Sequence, residues 1–552
     1  MAAPITDGLV PWPDEFVQRY IAAGYWEGVP LGTLLQEAAD RAPDAVAVVD
    51  GDVRLTYGEL MARADAAASR LADLGIGAGD RIVVQLPNRW EFVALTAACL
   101  RAGIVPVMAL PGHRRTEVSY LAQHSEAVAV AVPDRLRGFD HQSMAHEIDG
   151  PSFVLCAGDE IAPGSECLRT LCAPPQDAAA ERARWDATPP GGRDVALFLL
   201  SGGTTGLPKL IPRTHDDYAY NAKASADVSG IDADTVYLVQ LPVGHSFPLA
   251  SPGVLGTLIR GGRVVMLGTL QPEKAFATIA AEGVTLTSTV PAVAARWLEH
   301  AAVHGPPGGP DGPLQVLQVG GARLADELAR KIRPVLGAQL QQVFGMAEGL
   351  LNFTRLDDPD EIVCTTQGRP LSPGDEVKLV NSYEHPVREG QLGVLLTRGP
   401  YTPRGYYRAP EQNRKSFTKD GWYRSGDVCR RTSEGYLIVE GRDKDMINRG
   451  GDKISAEEVE NLVYQVPGVL EVAAVAMPDP DLGERVAVFV VPRDGATVTL
   501  DEIRAGMGPV AKFKLPERLI VVDEMVTTAV GKIDKKALRE DVARRVAEEE
   551  GA

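Results

Sequence analysis

Helical and strand periods of apolar residues alternate along residues 58–108, and this alternation constrains the fold more than any other feature. GELMARADAAASRLADLG (58–75) carries apolar residues at helical spacing and ends on Gly75, a natural C-cap. RIVVQL follows as a short buried strand, a helix begins near Glu91, and GIVPVMA reads as the next strand. Helices inserted between such strands cover parallel sheets on both faces, so an α/β class is predicted. The 552 residues exceed a usual domain about three- to fourfold, which calls for at least two cores.

Composition narrows the setting. The most apolar stretch, FVALTAACLRAGIVPVMAL, is interrupted by Arg101, Gly103 and Pro106. It reads as a buried helix entering a buried strand, not as a membrane span. The first residues, MAAPITDGLVPWPDEF, lack the basic and apolar regions of a signal peptide. Six cysteines (Cys99, Cys156, Cys167, Cys172, Cys364, Cys429) include no C-x-x-C pair. Neither a disulfide framework nor a zinc site is indicated, and a reducing cytoplasm is the expected location. Lys plus Arg total 56 against 74 Asp plus Glu, a formal charge of −18. Such a field repels nucleic acid and anionic membrane, so neither partner is expected. A local nest of N–H groups with a few cations can still hold small anions.

A boundary is predicted near GRDKDMINRGGDKIS (441–455). GYLIVE before it reads as a strand; AEEVENLVYQV, VLEVAAVAM and RVAVFVVP after it read as a helix and two strands. The chain therefore divides into 1–441 and 442–552, with the charged GRDKD segment either a hinge or an ordinary surface turn.

The strongest local signal is SGGTTGLPK, Ser201 to Lys209, directly after the apolar VALFLL. A buried strand feeding a turn of Gly202, Gly203, Thr204, Thr205 and Gly206 exposes consecutive N–H groups and hydroxyls, and Lys209 closes it. This suits phosphate oxygens, although the Walker spacing is absent. GHSFP (244–248) lacks the second glycine of a nucleophile elbow, so Ser246 is a poor nucleophile, and His245 alone reads as structural. FGMAE supplies Glu348, which can serve Mg²⁺ only where triphosphate lies nearby. On composition alone Asp427 in WYRSGD is a turn aspartate, and Lys532 in GKIDKKALRE an exposed lysine at a helix start.

Taken in order, these segments resemble the adenylate-forming superfamily of acyl-CoA synthetases, luciferases and nonribosomal adenylation domains. The likeness covers LTYGEL (55–60), SGGTTGLPK, GHSFPLASPGVLG (244–256), QVGGA (318–322), QQVFGMAEGLLNFTR (341–355), WYRSGD, GRDKDMINRGGDKIS and GKIDKKALR. KLIPRTHDDYAYN (209–221) and FGMAEGLLNFTRLDDP are similar to the stand-alone salicylate– and 2,3-dihydroxybenzoate–AMP ligases of siderophore-type assembly.

The resemblance implies a large N-terminal domain of parallel and mixed sheets flanked by helices, with a β-subdomain. It also implies a small mobile α+β C-terminal lid turning near Lys444. It implies Mg·ATP, an aryl acid, and a phosphopantetheinylated aryl carrier protein as acceptor, or free CoA in an aryl-CoA ligase. The Ser201–Lys209 loop would hold the β- and γ-phosphates, Glu348 the Mg²⁺, and Asp427 with Arg442 the ribose. Gly320, Gly321, Ala322, Val343 and Phe344 would surround adenine, with Gly345, Met346 and Ala347 continuing toward the acyl-adenylate. Lys532 would bridge carboxylate and α-phosphate, with His245 beside it, and Lys453 would join the nucleotide after rotation.

Substrate choice falls to Ser246, Phe247, Ser251 and Leu351, beside Gly320 and Ala347. Amino-acid-activating relatives carry Asp where Ser246 stands, which argues against an α-amino acid. The aryl branch usually carries Asn there, so Ser246 departs from the pattern and leaves room for a larger ortho group. Ser251 matches dihydroxybenzoate enzymes and Leu351 salicylate enzymes. The order of preference is salicylate, then 2,3-dihydroxybenzoate, then analogues such as 3-hydroxyanthranilate or methylsalicylate. From another class, a nucleotide-binding regulator without catalysis fits poorly with Lys209, Glu348, Asp427, Arg442 and Lys532 all present.

Overall fold

The computed structural model describes residues 4–201, 208–450, 452–508, 510–528 and 532–550. The glycine-rich residues 202–207, on which the phosphate-loop reading falls, lie outside them. Among the described residues no helix is long and apolar enough to cross a membrane.

Two helix-covered sheets form the bulk of the chain. In the seven-stranded sheet, Val105–Met108 lies between Arg81–Val84 and Val195–Leu200, both parallel to it. The helix Trp90–Ala102 that crosses over ends on Gly103 at φ 69°, a left-handed conformation that frees the chain to turn into the next strand. The helix Tyr57–Asp73 begins with a capping box, Thr56 and Glu59 each bonding the other's backbone N–H. The nine-stranded sheet is parallel through its centre and antiparallel at both edges. The predicted parallel sheets are therefore mixed at their margins, where hairpins replace crossovers. Between the sheets lies an apolar core that includes Leu31, Leu60, Phe92, Leu197, Tyr237 and Leu258.

A four-stranded antiparallel sheet, Glu376–Val380, Gly393–Arg398, Tyr423–Arg431 and Leu437–Arg442, follows. It sets Asp427 directly opposite Arg442 across the last pair. Beyond Arg442 a short 3₁₀ turn, Asp443–Asp445, leads into a five-stranded sheet with helices Ala456–Val463, Leu500–Gly506 and Lys535–Glu550. This unit has cores of its own, one around Val459, Val472 and Val488, the other around Phe489, Ile520 and Leu538.

Strand direction positions the site. Val195–Leu200, Val236–Val239, Val316–Gly320 and Gln339–Met346 end, respectively, before Ser201, His245, Gly321 and Glu348. These residues line one cleft, in keeping with ligand sites at the carboxyl ends of parallel strands.

Candidate active site

The cleft has a volume of about 360 Å³ and is lined from both parts of the chain, the C-terminal unit contributing Lys532. A second cavity of about 250 Å³ adjoins it and shares Gly321, Val343, Gly345, Arg442, Lys444 and Lys532. Ala322, Phe344 and Asp427 line only the second; Ser201, Lys209, Met346, Ala347 and Glu348 line only the first.

His245 caps the short helix Ser246–Ala250, its Nδ1 accepting the Phe247 N–H at 3.2 Å. Burial, reinforced by the Lys532 charge, pulls its pKa down to about 3, so the ring is neutral with its proton on Nε2. The Ser251 hydroxyl donates to the Ser246 carbonyl at 3.3 Å. Phe247 packs on Gly320, where a β-carbon would come 3.0 Å from Phe247 Cε1 and 2.6 Å from the Val343 oxygen. Leu351 faces Gly345 across the strand pair and fills the space a side chain there would need. Ser246, Phe247, Ser251, Ala347 and Leu351 thus line the cleft together, with Gly320 behind Phe247.

Glu348 stands in the turn between Gln339–Met346 and Gly349–Phe353 and is buried. The Tyr406 hydroxyl donates to its Oε1 at 2.7 Å and lies 3.3 Å from the Tyr423 hydroxyl. The Lys209 ammonium sits 5.6 Å from the centre of the Tyr406 ring. Ser201 and Lys209 close the base of the glycine loop: Ser201 N–H bonds the Lys209 carbonyl, and Lys209 N–H bonds Ser201 Oγ, both at 3.0 Å.

Asp427 is buried in mid-strand, not in a turn as composition alone reads it. Its Oδ1 takes Arg442 Nε at 2.8 Å, its own N–H is held by Ser425, and Oδ2 is buried without a hydrogen-bond partner among the described residues. Burial lifts its pKa, against the pull of Arg442. Lys532 also departs from its composition reading. It precedes the helix that begins at Lys535 and lies half-buried in the cleft. Desolvation, then Arg442, lower its pKa to about 8, while Asp427 and Glu348 push it back up. Lys444 lies at the junction of both cavities. Lys453 belongs to the strand Asp452–Ile454, and its side chain lies outside the described residues.

Sequence reasoning missed three groups. Tyr406 reaches Glu348 from 58 residues away and meets the Tyr423 hydroxyl 17 residues on, and nothing in RGYYRAP distinguishes Tyr406 from its neighbour Tyr407. Arg213 is buried, bonds Asp217 at 2.7 Å and donates to the Ala347 carbonyl at 3.1 Å. Its i,i+4 spacing from Asp217 was the available signal, but an exposed helix pair shows the same spacing.

Residues 35–407 match the model of the AMP-binding enzyme family, and residues 458–532 that of the AMP-binding enzyme C-terminal domain. The chain is 59% identical to a salicylyl-CoA synthase / salicylate adenylyltransferase of Streptomyces sp, over 98% of each. It is 55% identical to the 2-hydroxy-7-methoxy-5-methyl-1-naphthoate–CoA ligase of Streptomyces carzinostaticus, again over 98% of each. It is 46% identical to the 2,3-dihydroxybenzoate-AMP ligase of Bacillus subtilis, with the same coverage. Among solved structures, ATP-bound MatB of Rhodopseudomonas palustris superposes with a TM-score of 0.80 at 26% identity, covering 93% of this chain and 99% of that one. The apo form of MatB, at the same identity and coverage, gives 0.72.

Proposed function

The chain belongs to the AMP-binding enzymes, and we propose that it adenylates salicylate with ATP and passes the acyl group to a phosphopantetheine thiol. The observation that carries this reading is the half-buried Lys532 side chain, which lines both the cleft of Ser246, Ser251 and Leu351 and the cavity of Asp427 and Phe344. One cation there meets both the acyl carboxylate and the α-phosphate.

The first step forms a bond from a carboxylate oxygen to the α-phosphorus and breaks the bond from that phosphorus to the bridging oxygen, releasing pyrophosphate. The chain's task is positioning and charge neutralisation. Lys532 offsets the charge gathered where the two anions meet. Neutral His245 offers an Nε2–H donor beside it without adding a second charge to desolvate. The free Oδ2 of Asp427 accepts ribose hydroxyls, with Arg442 fixing the carboxylate. Arg213 holds the Ala347 carbonyl and so the loop that separates acyl and nucleotide subsites. Residues 442–552 act as a lid that turns at Lys444 and carries Lys532 in and out.

Glu348 fits Mg²⁺. Among the described residues no three acidic, His or Cys side chains cluster, so a metal here takes most of its ligands from phosphate and water, as Mg²⁺ does. Tyr406 occupies one carboxylate oxygen of Glu348 and fixes its direction. Bound Mg²⁺ would supply neutralisation of triphosphate charge.

Two acceptors remain in play, because the 59% and 55% identical relatives bear CoA-synthase and CoA-ligase names. Aryl-acid-dependent ATP–pyrophosphate exchange tests the first half-reaction. Salicylate should lead, followed by 2,3-dihydroxybenzoate, then 3-hydroxyanthranilate, with benzoate and anthranilate slowest. Equal rates for all five refute ortho recognition. Comparing CoA with a holo-carrier protein as acceptor assigns the second.

A further inference from the structure

Behind Leu351 lies a buried pair of groups that none of the steps above uses. Tyr401 is fully buried; its hydroxyl donates to Asp375 Oδ2 at 2.5 Å and accepts the Leu351 N–H at 3.2 Å. Asp375 Oδ2 takes one further bond, from the Ser372 N–H at 3.1 Å, and Oδ1 is buried without a partner among the described residues. Among the described residues no cation pairs with this carboxylate, and burial lifts its pKa to about 7. A carboxylate is costly in such a place. Its one side-chain partner is the hydroxyl that holds the pocket wall.

The local backbone shows why Leu351 needs holding. Gly349 and Leu350 start the strand at positive φ, 98° and 44°, and a β-carbon on Gly349 would come 2.7 Å from the Tyr401 oxygen. The strand start is thus pressed onto the Tyr401–Thr402 backbone. The Leu351 side chain turns onto Gly345 and into the cleft, so its depth is fixed by Gly345 in front and the Tyr401 hydroxyl behind. The Ser251 segment of the cleft lining is tied to the same group. The Tyr220 ring packs 6.0 Å from Tyr401 and its hydroxyl lies 2.6 Å from Ser372 Oγ; the adjacent Asn221 donates to the Ala250 carbonyl, next to Ser251.

We propose that Tyr401, anchored by Asp375, is a positioning residue that sets the depth of the acyl pocket at Leu351 and thereby its discrimination among ring-substituted aryl acids. This rests on the reading of the cleft as the aryl-acid site. Tyr401→Phe removes the hydroxyl alone, leaving both the Leu351 N–H and the Asp375 carboxylate short of a partner.

The test is pyrophosphate exchange with salicylate and 3-methylsalicylate, with KM measured for each acid and for ATP. Tyr401→Phe should raise KM for salicylate about tenfold, the scale of one lost buried hydrogen bond, and narrow the preference between the two acids. KM for ATP should stay within about twofold. Unchanged aryl-acid constants, or KM values for acid and ATP rising together as in general loosening, would overturn the proposal. Should Tyr401→Phe fail to fold, Asp375→Asn keeps the volume and a weaker acceptor. It must then shift the same acid-to-ATP ratio in the same direction, about threefold, and no shift overturns the proposal equally. Wild-type enzyme lacking any aryl-acid-dependent exchange would instead remove the reading of the cleft, and this inference with it.

Discussion

The Lys532 side chain runs across the face of Gly321: a β-carbon on that glycine would lie 3.1 Å from Lys532 Cε and 3.8 Å from its Nζ. Gly321 directly follows the strand Val316–Gly320 of the larger part of the chain, and Lys532 comes from the C-terminal unit, so the two parts meet at this approach. Gly321 also holds φ at 85°, a conformation that L side chains resist.

Gly321→Ala therefore strains the backbone and pushes on the lysine at once. Exchange should fall about tenfold or more while transfer from supplied aryl-AMP to the thiol acceptor changes little. Steady-state rates for the two half-reactions, measured separately, check this; an equal loss in both would place the defect in folding.

Gly345 and Leu351 offer a second steric test. A methyl group at 345 would overlap Leu351 Cδ2, so Gly345→Ala should raise KM for the aryl acid about tenfold. Adding Leu351→Val shortens the opposing side chain and should recover much of that loss. A double mutant no better than the single would show that the two do not share the pocket.

The pH dependence follows from Lys532. Its folded-state pKa, about 8, lies below the ordinary 10.5, so the packing of the C-terminal unit against the cleft favours the neutral amine. Docking should therefore strengthen as pH rises from about 8 toward 10.5. Catalysis, which needs the ammonium, should weaken over the same range. An alkaline limb in kcat/KM with a pKa near 8, absent from the residual activity of Lys532→Ala, is the expected profile. His245, held near 3, adds no acid limb between pH 5 and 8.

Arg296, on the helix Pro291–His304, reaches the C-terminal unit at Glu471 (3.4 Å) and Glu524 (3.7 Å). Glu471 is buried, and its second oxygen has no hydrogen-bond partner. Arg296→Ala leaves that carboxylate without its cation, but half-exposed Arg296 is screened, so exchange should fall only about five- to tenfold. Recovery of exchange in the charge-exchanged pair Arg296→Glu with Glu471→Arg would locate the effect at the contact.

Much of this site was legible in the sequence because its residues sit in short contiguous runs at strand ends. QVGGA and FGMAE each span the end of a strand, and the structure sets those two strands side by side and parallel. Lys532 was legible only through resemblance, since a lysine before a basic helix is ordinarily exposed and its burial depends on docking against Gly321. Tyr406, Tyr423 and Arg213 were not legible. Each is a common residue type whose meaning comes from a contact far along the chain, and local periodicity carries no information about such contacts. Asp375 illustrates the same limit: in LSPGDEV it reads as a turn aspartate, and its burial against Tyr401 appears only in three dimensions.

The most direct test is salicylate-dependent ATP–pyrophosphate exchange by Lys532→Ala beside the wild-type enzyme. If this ammonium bridges carboxylate and α-phosphate, exchange should drop about 10²–10³-fold, the scale for removing one preorganised charge donor. Acyl transfer from supplied salicyl-AMP should be largely retained. Near-normal exchange in the variant would contradict the account.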